Sequence, residues 1–294
     1  RNVPHYDLLI IGAGSGNSII DERHNNWNIA IIEPGDFGGT CLNRGCVPSK
    51  MFIHTADRAY MAQQNTPFGI QTNFVSADWR KIRDRVFDRI DPITESGLNY
   101  RTSLTNVTVY RERARFIDKQ TIQAGKEIIT ADQIVVAAGA RPSIPDISGI
   151  AEVPYLTSDE IMRIEELPSH LVIIGGGFIA VEMAHIFSAF GSEVTVIHRR
   201  DRLLREMDLD ISEQMTDIYA NRLNLLLETE VSQVTHNNEF ELTLSTGHSI
   251  ACDQLLVATG RIPNTDLLDV SAGFINTSTS GHIETDAYLR TSTE

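Results

Sequence analysis

The sequence predicts an α/β protein built from two Rossmann-like dinucleotide-binding domains in tandem. Three observations predict it. An apolar, strand-length run enters a glycine-rich turn twice, at Leu8-Leu9-Ile10-Ile11 into Gly12-Ala13-Gly14 and at Leu171-Val172-Ile173-Ile174 into Gly175-Gly176-Gly177. Each turn leads on to a second apolar strand, at residues 28–32 and 194–197. Each half also contains a later apolar strand that ends in small residues, at 134–139 and 255–260. Strand, tight turn, helix and parallel strand make up the βαβ unit.

In chain order, Asp7-Leu8-Leu9-Ile10-Ile11 reads as a buried strand, and the turn from Gly12 to Asn17 opens a helix running through about Arg23. The strand at 28–32 ends at Glu33. Residues 78–101 are charged and helical in pattern, 107–117 and 121–129 read as strands of a β excursion, and 134–139 as a buried strand. Pro142, Pro145 and Pro154 mark a boundary. In the second half, a helix from Ile179 to about Phe190 stops at Gly191. Residues 231–236 and 239–244 flank Asn237-Asn238, a favourable hairpin turn. The expected domains are 1–150 and 151–265, with 266–294 starting a return to the first.

A chain of 294 residues fits about two domains. With 25 Lys and Arg against 39 Asp and Glu, the net charge of −14 argues against nucleic acid, whose phosphates need clustered cations. The longest apolar runs are strand length, below the ~20 residues of a membrane span, so no membrane partner is expected. The chain opens at Arg1 without a signal-peptide pattern. Three cysteines are too few for a disulfide scaffold. The expected compartment is the reducing cytoplasm, where a close cysteine pair is catalytic or metal-binding.

At the first turn, Gly12 and Gly14 hold the first two places of G-x-G-x-x-G and Asn17 the third. The first glycine makes the tight turn, the second admits a pyrophosphate, and the third allows close packing. Glu33 follows Gly12 by 21 residues, where an acid would meet ribose hydroxyls; a loop without a ligand is the bland alternative. At the second turn, Gly175, Gly177 and Ala180 fit G-x-G-x-x-A. The strand after it runs into Arg199, Arg200, Arg202 and Arg205, which suit the 2′-phosphate of NADP rather than a free hydroxyl. A solvated basic loop is the alternative there.

Cys41 and Cys46 lie five residues apart just after the first turn. Regular helix places such Cα atoms ~8.6 Å apart, from a ~1.5 Å rise and ~2.3 Å radius, whereas a disulfide spans at most ~6.8 Å. The two can bridge only if the helix is distorted, and Gly45 and Pro48 supply the means. Thr40 is placed to cap the helix start, which would lower the pKa of a nearby Cys41. Three readings stay open: a redox pair, buried small hydrophobes, or part of a metal site lacking its other ligands. The last has no second Cys/His pair to complete it, and no metal is expected. Cys252, entering a strand, reads as core.

With these residues assembled, the chain resembles the pyridine nucleotide–disulfide oxidoreductases, a flavoprotein family, over essentially its whole length. The most specific motif is Gly38-Gly39-Thr40-Cys41 with Cys46-Val47-Pro48-Ser49-Lys50, supported by Ala137-Ala138-Gly139 and by Ala258-Thr259-Gly260-Arg261-Ile262-Pro263-Asn264. The resemblance implies two three-layer ββα domains, of βββαβ type, binding FAD and NADPH. It implies an FAD-dependent enzyme that passes electrons from NADPH through flavin and a Cys41–Cys46 disulfide to a low-molecular-weight disulfide, mycothione foremost. Glutathione disulfide, mercuric ion, or no catalysis at all are the alternatives. Cys41 would attack the substrate, Cys46 would face the flavin, and Lys50 and Glu182 would form a pair beside it. Gly12, Gly14, Ser15, Gly16, Glu33, Gly39, Thr40, Lys50, Ala114, Ala138, Gly139, Gly175, Gly176, Gly177, Ile179, Glu182, Arg199, Arg205 and Gly260 are the implied cofactor-binding residues, with Arg199 and Arg205 on the 2′-phosphate of NADPH. Phe178 stands where another member has a tyrosine over the nicotinamide. The family continues into a C-terminal dimerisation domain carrying a His–Glu dyad, absent here. A homodimer is therefore expected of the full-length protein, and inactivity of this stretch alone. His236 and Glu241 share the dyad's spacing but read as hairpin residues.

Overall fold

The computed structural model describes residues 3–64 and 66–293; Arg1, Asn2, Asn65 and Glu294, with the chain ends they mark, lie outside the described residues. The elements begin with β1 (His5–Ile11), β2 (Ile29–Ile32), α1 (Gly39–Arg44), α2 (Cys46–Gln63) and α3 (Trp79–Ser103). Next come β3 (Val107–Tyr110), β4 (Ala114–Asp118), β5 (Thr121–Ala124), β6 (Glu127–Val136) and β7 (Ala140–Pro142). Then follow β8 (His170–Ile174), α4 (Phe178–Phe190), β9 (Glu193–Ile197), α5 (Leu209–Ala220) and β10 (Asn224–Leu226). The last are β11 (Val231–Asn237), β12 (Glu239–Leu244), β13 (Ser249–Cys252), β14 (Gln254–Val257) and β15 (Arg261–Pro263). Of the described residues, those within 1–43, 89–141 and 261–294 form one compact unit and those within 44–88 and 142–260 the other.

The first unit is built on a six-stranded sheet, β3-β2-β1-β6-β5-β4. Its centre is parallel, with Leu8 opposite Ile29 and Leu9 opposite Ile134. Side chains of β1 and β2 alternate between faces with period two. Leu8, Ile10, Ile29 and Ile31 pack with Phe37, Leu98 and Leu104. Leu9, Ile11, Ala30 and Ile32 pack with Phe116, Ile122, Leu268 and Val270. Both faces of the central strands are thus covered, which is why they read as unbroken apolar runs.

Two expectations for this unit are corrected. The helix expected from the first turn to Arg23 is instead two short 3-10 turns, Ser15–Ile19 and Glu22–His24. Gly14, Gly16, Asn17 and Ser18 are weak helix formers, and the β-branched Ile19 and Ile20 add little; Ile20 leaves the first turn extended. Asp21 then caps the second turn, accepting the Arg23 N–H at 3.0 Å while its own N–H donates to His24 Nδ1. The strand expected over 107–117 divides at Arg111-Glu112-Arg113: β3 joins the parallel sheet beside β2, and β4 turns antiparallel to β5. The strands expected over 121–129 and 134–139 are drawn together by β6, which pairs with β5 at its start and with β1 along its length.

The second unit stacks three layers. A parallel sheet, β10-β9-β8-β14, lies between α4 and an antiparallel meander, β11-β12-β13. Val172, Ile174 and Leu255 of the sheet share a core with Val234, Phe240 and Leu242 of the meander. Helix α4 ends where the sequence places its stop, at Gly191 with φ +109°. The expected Asn237-Asn238 turn is tighter than two residues: Asn237 pairs with Glu239, and Asn238 alone turns, at φ +72°. His236 and Glu241 are strand residues of this hairpin, as expected. No helix of the described residues is long and apolar enough to cross a membrane.

Candidate functional site

The first glycine-rich turn is a place where backbones touch. Gly12 sits at φ +110°, and a Cβ there would lie 2.2 Å from the Ala137 carbonyl oxygen. A Cβ on Gly39, at φ +64°, would lie 2.6 Å from the Gly14 Cα, and one on Gly16 2.3 Å from the Ala137 Cβ. Close packing expected of the third motif position therefore falls to Gly16. Asn17, in that position, instead accepts a hydrogen bond at its backbone carbonyl from Arg101 at 2.9 Å. The Asn17 Oδ1 is shielded from solvent and accepts no hydrogen bond. Burial holds the Arg101 pKa below its usual value.

Glu33 reaches back to this turn. Its Oε2 accepts the Ala13 N–H at 2.9 Å and its Oε1 the Gly35 N–H at 2.7 Å. Each oxygen keeps a further lone pair, so hydroxyl donors can still be accepted. Ser15 and Thr40 are exposed. Gly139 has φ +67° with open space around its missing Cβ. Asn264 holds this segment, its backbone N–H donating to the Gly139 carbonyl at 3.0 Å and its Nδ2 to the Ala138 carbonyl at 2.9 Å. Ala114 opens β4 and is buried in the core beside Leu9 and Phe116. The turn thus offers a dinucleotide a glycine cradle and an acid with spare lone pairs. The long helix that the sequence places behind it is missing.

Cys41 lies in α1 and Cys46 opens α2; both are exposed and both stand as thiols. Between them the helix is interrupted at Gly45, with φ −137° and ψ −120°. Pro48 falls in the first turn of α2, where its missing N–H leaves no bond unmade. Thr40 is not the expected cap: α1 already begins at Gly39, which puts Thr40 inside the first turn. Cys252 is core, as expected, and burial pushes its thiol up to about 12.

Within the second unit, α2 and α4 run side by side in the same direction, joined by three polar rungs. Lys50 forms an ion pair with Glu182. Asp57 Oδ1 lies 2.8 Å from His185 Nε2, and Gln63 Nε2 donates to the Ala189 carbonyl at 3.0 Å. Lys50 is 62% exposed and Glu182 23%. Of these residues only Lys50 and Glu182 carry a sequence signal. The Asp57–His185 rung and the Arg222 guanidinium against it depend on packing between distant segments.

The second glycine-rich turn keeps the expected helix. Gly175, at φ +142°, would place a Cβ 2.1 Å from the Ala258 carbonyl oxygen, and Gly176 would place one 2.5 Å from the His198 ring. Gly177 is the N-cap of α4 and faces open space, with Phe178 65% exposed and Ile179 next to it. The free N–H groups of a helix start favour an anion there. Arg199 and Arg205 are both exposed, Arg205 lying 3.7 Å from Asp201. Burial, then the charges of Arg199, Arg205 and Arg200, lower the pKa of His198. Gly260, at φ +131°, faces open space and its carbonyl accepts the Ser143 N–H at 2.8 Å. Among the described residues, no cluster of three His, Cys, Asp or Glu is placed to hold a metal ion.

Comparison with known proteins gives a consistent picture. The family model described as pyridine nucleotide-disulphide oxidoreductase matches residues 6–294. Mycothione reductase of Mycobacterium tuberculosis is 44% identical over 295 residues, covering 98% of this chain and 64% of its own. Mercuric reductase of Staphylococcus aureus is 35% identical over 303 residues, covering 98% of this chain and 54% of its own. Among solved structures, the HOCl-induced flavoprotein disulfide reductase RclA from Escherichia coli matches with a TM-score of 0.84 at 28% identity, over 98% of this chain and 64% of that one. The chain therefore spans between about half and two thirds of the length of these relatives.

Proposed function

The chain belongs to the pyridine nucleotide-disulphide oxidoreductases, and from that membership we propose that it serves NADPH-dependent reduction of a low-molecular-weight disulfide, mycothione, with Cys41 and Cys46 as the redox pair. The observation that carries the reading is the placement of Lys50. It lies four residues after Cys46 on α2, on the same face, and Glu182 of α4 holds it there. Lys50 thus sets a positive charge on the same face of α2 as the exposed Cys46.

The first unit fits FAD through Gly12, Gly14, Ser15, Gly16, Glu33, Gly39, Thr40, Ala114, Ala138 and Gly139, with Lys50 adding positive charge for the reduced ring. The second unit fits NADPH through Gly175, Gly176, Gly177, Ile179 and Gly260, with Arg199 and Arg205 on the 2′-phosphate, while Glu182 pairs with Lys50. FAD, when bound, supplies two-electron chemistry between the nicotinamide and sulfur. The Cys41 thiolate attacks one sulfur of the substrate disulfide, forming a mixed disulfide and expelling the first product as a thiolate, which takes up the proton that Cys41 lost. The Cys46 thiolate then attacks Cys41 Sγ, forming the Cys41–Cys46 disulfide and expelling the second product, which takes up the proton that Cys46 lost. Two electrons from NADPH and one proton from solvent restore both cysteines and leave NADP⁺. This chemistry suits a reducing compartment, the cytoplasm, and the complete protein is read as a homodimer.

The test is anaerobic reduction of the FAD-loaded full-length protein by NADPH, followed by assay against mycothione, glutathione disulfide and mercuric ion; the 294-residue stretch alone is expected not to turn over. A long-wavelength absorbance that Cys46→Ser abolishes, with turnover of mycothione above the others, is expected. Absence of the band in the parent protein, or a preference for NADH, overturns the reading.

A further inference from the structure

A recess of about 280 Å³ opens in the second unit between α2 and the start of α3, lined by His54, Thr55, Arg58, Lys81, Ile82 and Arg85. It is cationic in a chain of net charge −14. His54 and Arg58 are one turn apart on α2, and Lys81 and Arg85 are one turn apart on α3, so both helices contribute nitrogen-bearing side chains to the lining. The like charges of Lys81 and Arg85 so spaced repel one another.

The neighbouring charges are sorted away from it. Arg80 pairs with Glu166 at 3.0 Å, and Arg83 with Asp84 at 2.8 Å and Glu165 at 2.9 Å. Asp57, between His54 and Arg58 in sequence, turns to His185. Asp88, three residues from Arg85, does not line the recess. None of Arg58, Lys81 and Arg85 makes an ion pair among the described residues, and no carboxylate lines the space. Arg85 is also held in place. Its Nη2 donates to Thr55 Oγ1 at 2.5 Å, and that hydroxyl donates onward to the Met51 carbonyl at 3.1 Å. An arginine fixed in this way has less entropy to lose when an anion arrives.

The geometry points to a binding site for a small phosphate monoester in this recess, separate from both glycine-rich turns. Arginine forks match the paired oxygens of a phosphate, and Lys81 adds a point charge. The volume equals roughly nine waters at about 30 Å³ each, more than a bare ion needs. Ile82 also lines the recess, an apolar surface that suits a short organic stem. A long polyanion is disfavoured by the acidic remainder of the chain.

The experiment is isothermal titration of the protein with inorganic phosphate and with glycerol 3-phosphate, at constant ionic strength and with FAD and NADP⁺ in excess to fill the nucleotide sites. Both probes are expected to bind saturably at one site per chain, glycerol 3-phosphate more tightly. Arg58→Gln/Arg85→Gln is expected to weaken both at least tenfold, and Arg199→Gln/Arg205→Gln to leave them unchanged. Should the first pair fail to fold, Lys81→Gln, an exposed change, is expected to cost severalfold. No saturable binding, indifference to the recess substitutions, or a loss that follows Arg199 and Arg205 overturns the site. Equal affinity for the two probes overturns the monoester assignment.

Discussion

Asp57 and His185 form the middle of three rungs tying α2 to α4, with Asp57 Oδ1 2.8 Å from His185 Nε2. The other ring nitrogen, Nδ1, lies 3.2 Å from Arg222 Nη2. A guanidinium only donates, so Nδ1 must accept, and the proton of the neutral ring sits on Nε2, facing Asp57. Arg222 in turn lies 4.0 Å from the Tyr60 ring centroid. His185→Ala strips Asp57 and Arg222 of their shared partner and is expected to cost about 1–3 kcal/mol. Urea unfolding checks this; an unchanged midpoint would show the rung to be slack.

The first rung is expected to behave differently. Lys50 is 62% exposed, and an exposed ion pair contributes about 0–1 kcal/mol. Lys50→Gln should therefore leave the unfolding midpoint nearly unchanged. If the lysine charge serves the reacting sulfur and flavin, turnover should fall on the order of a hundredfold, the scale of a lost electrostatic stabiliser. Thermal unfolding beside single-turnover reduction by NADPH separates the two. A large stability loss with intact turnover would reassign Lys50 to structure.

Much of this was legible in the sequence, and what was not has physical reasons. The second βαβ unit reads through because its apolar runs, its glycine turn and the Gly191 stop all agree. The helix interruption between the cysteines was visible in Gly45 and Pro48. The first turn misleads because its glycine spacing signals a helix while Gly16, Asn17, Ser18 and Ile19 do not sustain one. Arg111-Glu112-Arg113 carried the signal for the divided strand, outweighed by the β-branched residues around it. Arg101 at Asn17, Asn264 at Gly139 and Arg222 at His185 leave no local trace, since each bond joins segments 37 to 125 residues apart.

The basic cluster after β9 predicts coenzyme choice. Arg199→Gln/Arg205→Gln removes two charges suited to a 2′-phosphate. Each charge-assisted hydrogen bond contributes about 1.5–3 kcal/mol. The KM for NADPH is expected to rise on the order of a hundredfold, with that for NADH unchanged. Steady-state kinetics with both coenzymes check this, and equal losses for the two would place the arginines outside coenzyme discrimination.

Gly175 and Gly177 stand two residues apart and should respond in opposite ways. A side chain at Gly175 meets the Ala258 carbonyl oxygen at 2.1 Å from a backbone at φ +142°. Gly175→Ala is expected to cost about 3 kcal/mol or more through clash and strain and to yield little folded protein. At Gly177 nothing lies within 4 Å and φ is −85°. Gly177→Ala should fold, at a cost of about 1 kcal/mol for a poorer cap, yet weaken NADPH by crowding the start of α4. Circular dichroism and coenzyme titration of the two variants test the contrast.

Two buried acids in the second unit predict an alkaline limit. Burial pushes Cys252 from 9.0 to about 12 and Tyr219 from 10.0 to about 12; the Tyr219 hydroxyl donates to the Val181 carbonyl at 2.8 Å. In both cases the folded state retains a proton that the unfolded state loses, so the unfolded state gains stability as the pH rises. The contribution is fully present below pH 9 and is lost as the pH climbs towards 12. Cys252 alone should remove about 2 kcal/mol by about pH 10.5. Cys252→Ala deletes that titration, so its unfolding free energy should fall less steeply than that of the parent protein between about pH 9 and 11. Parallel curves would mean that the Cys252 thiol titrates alike in both states.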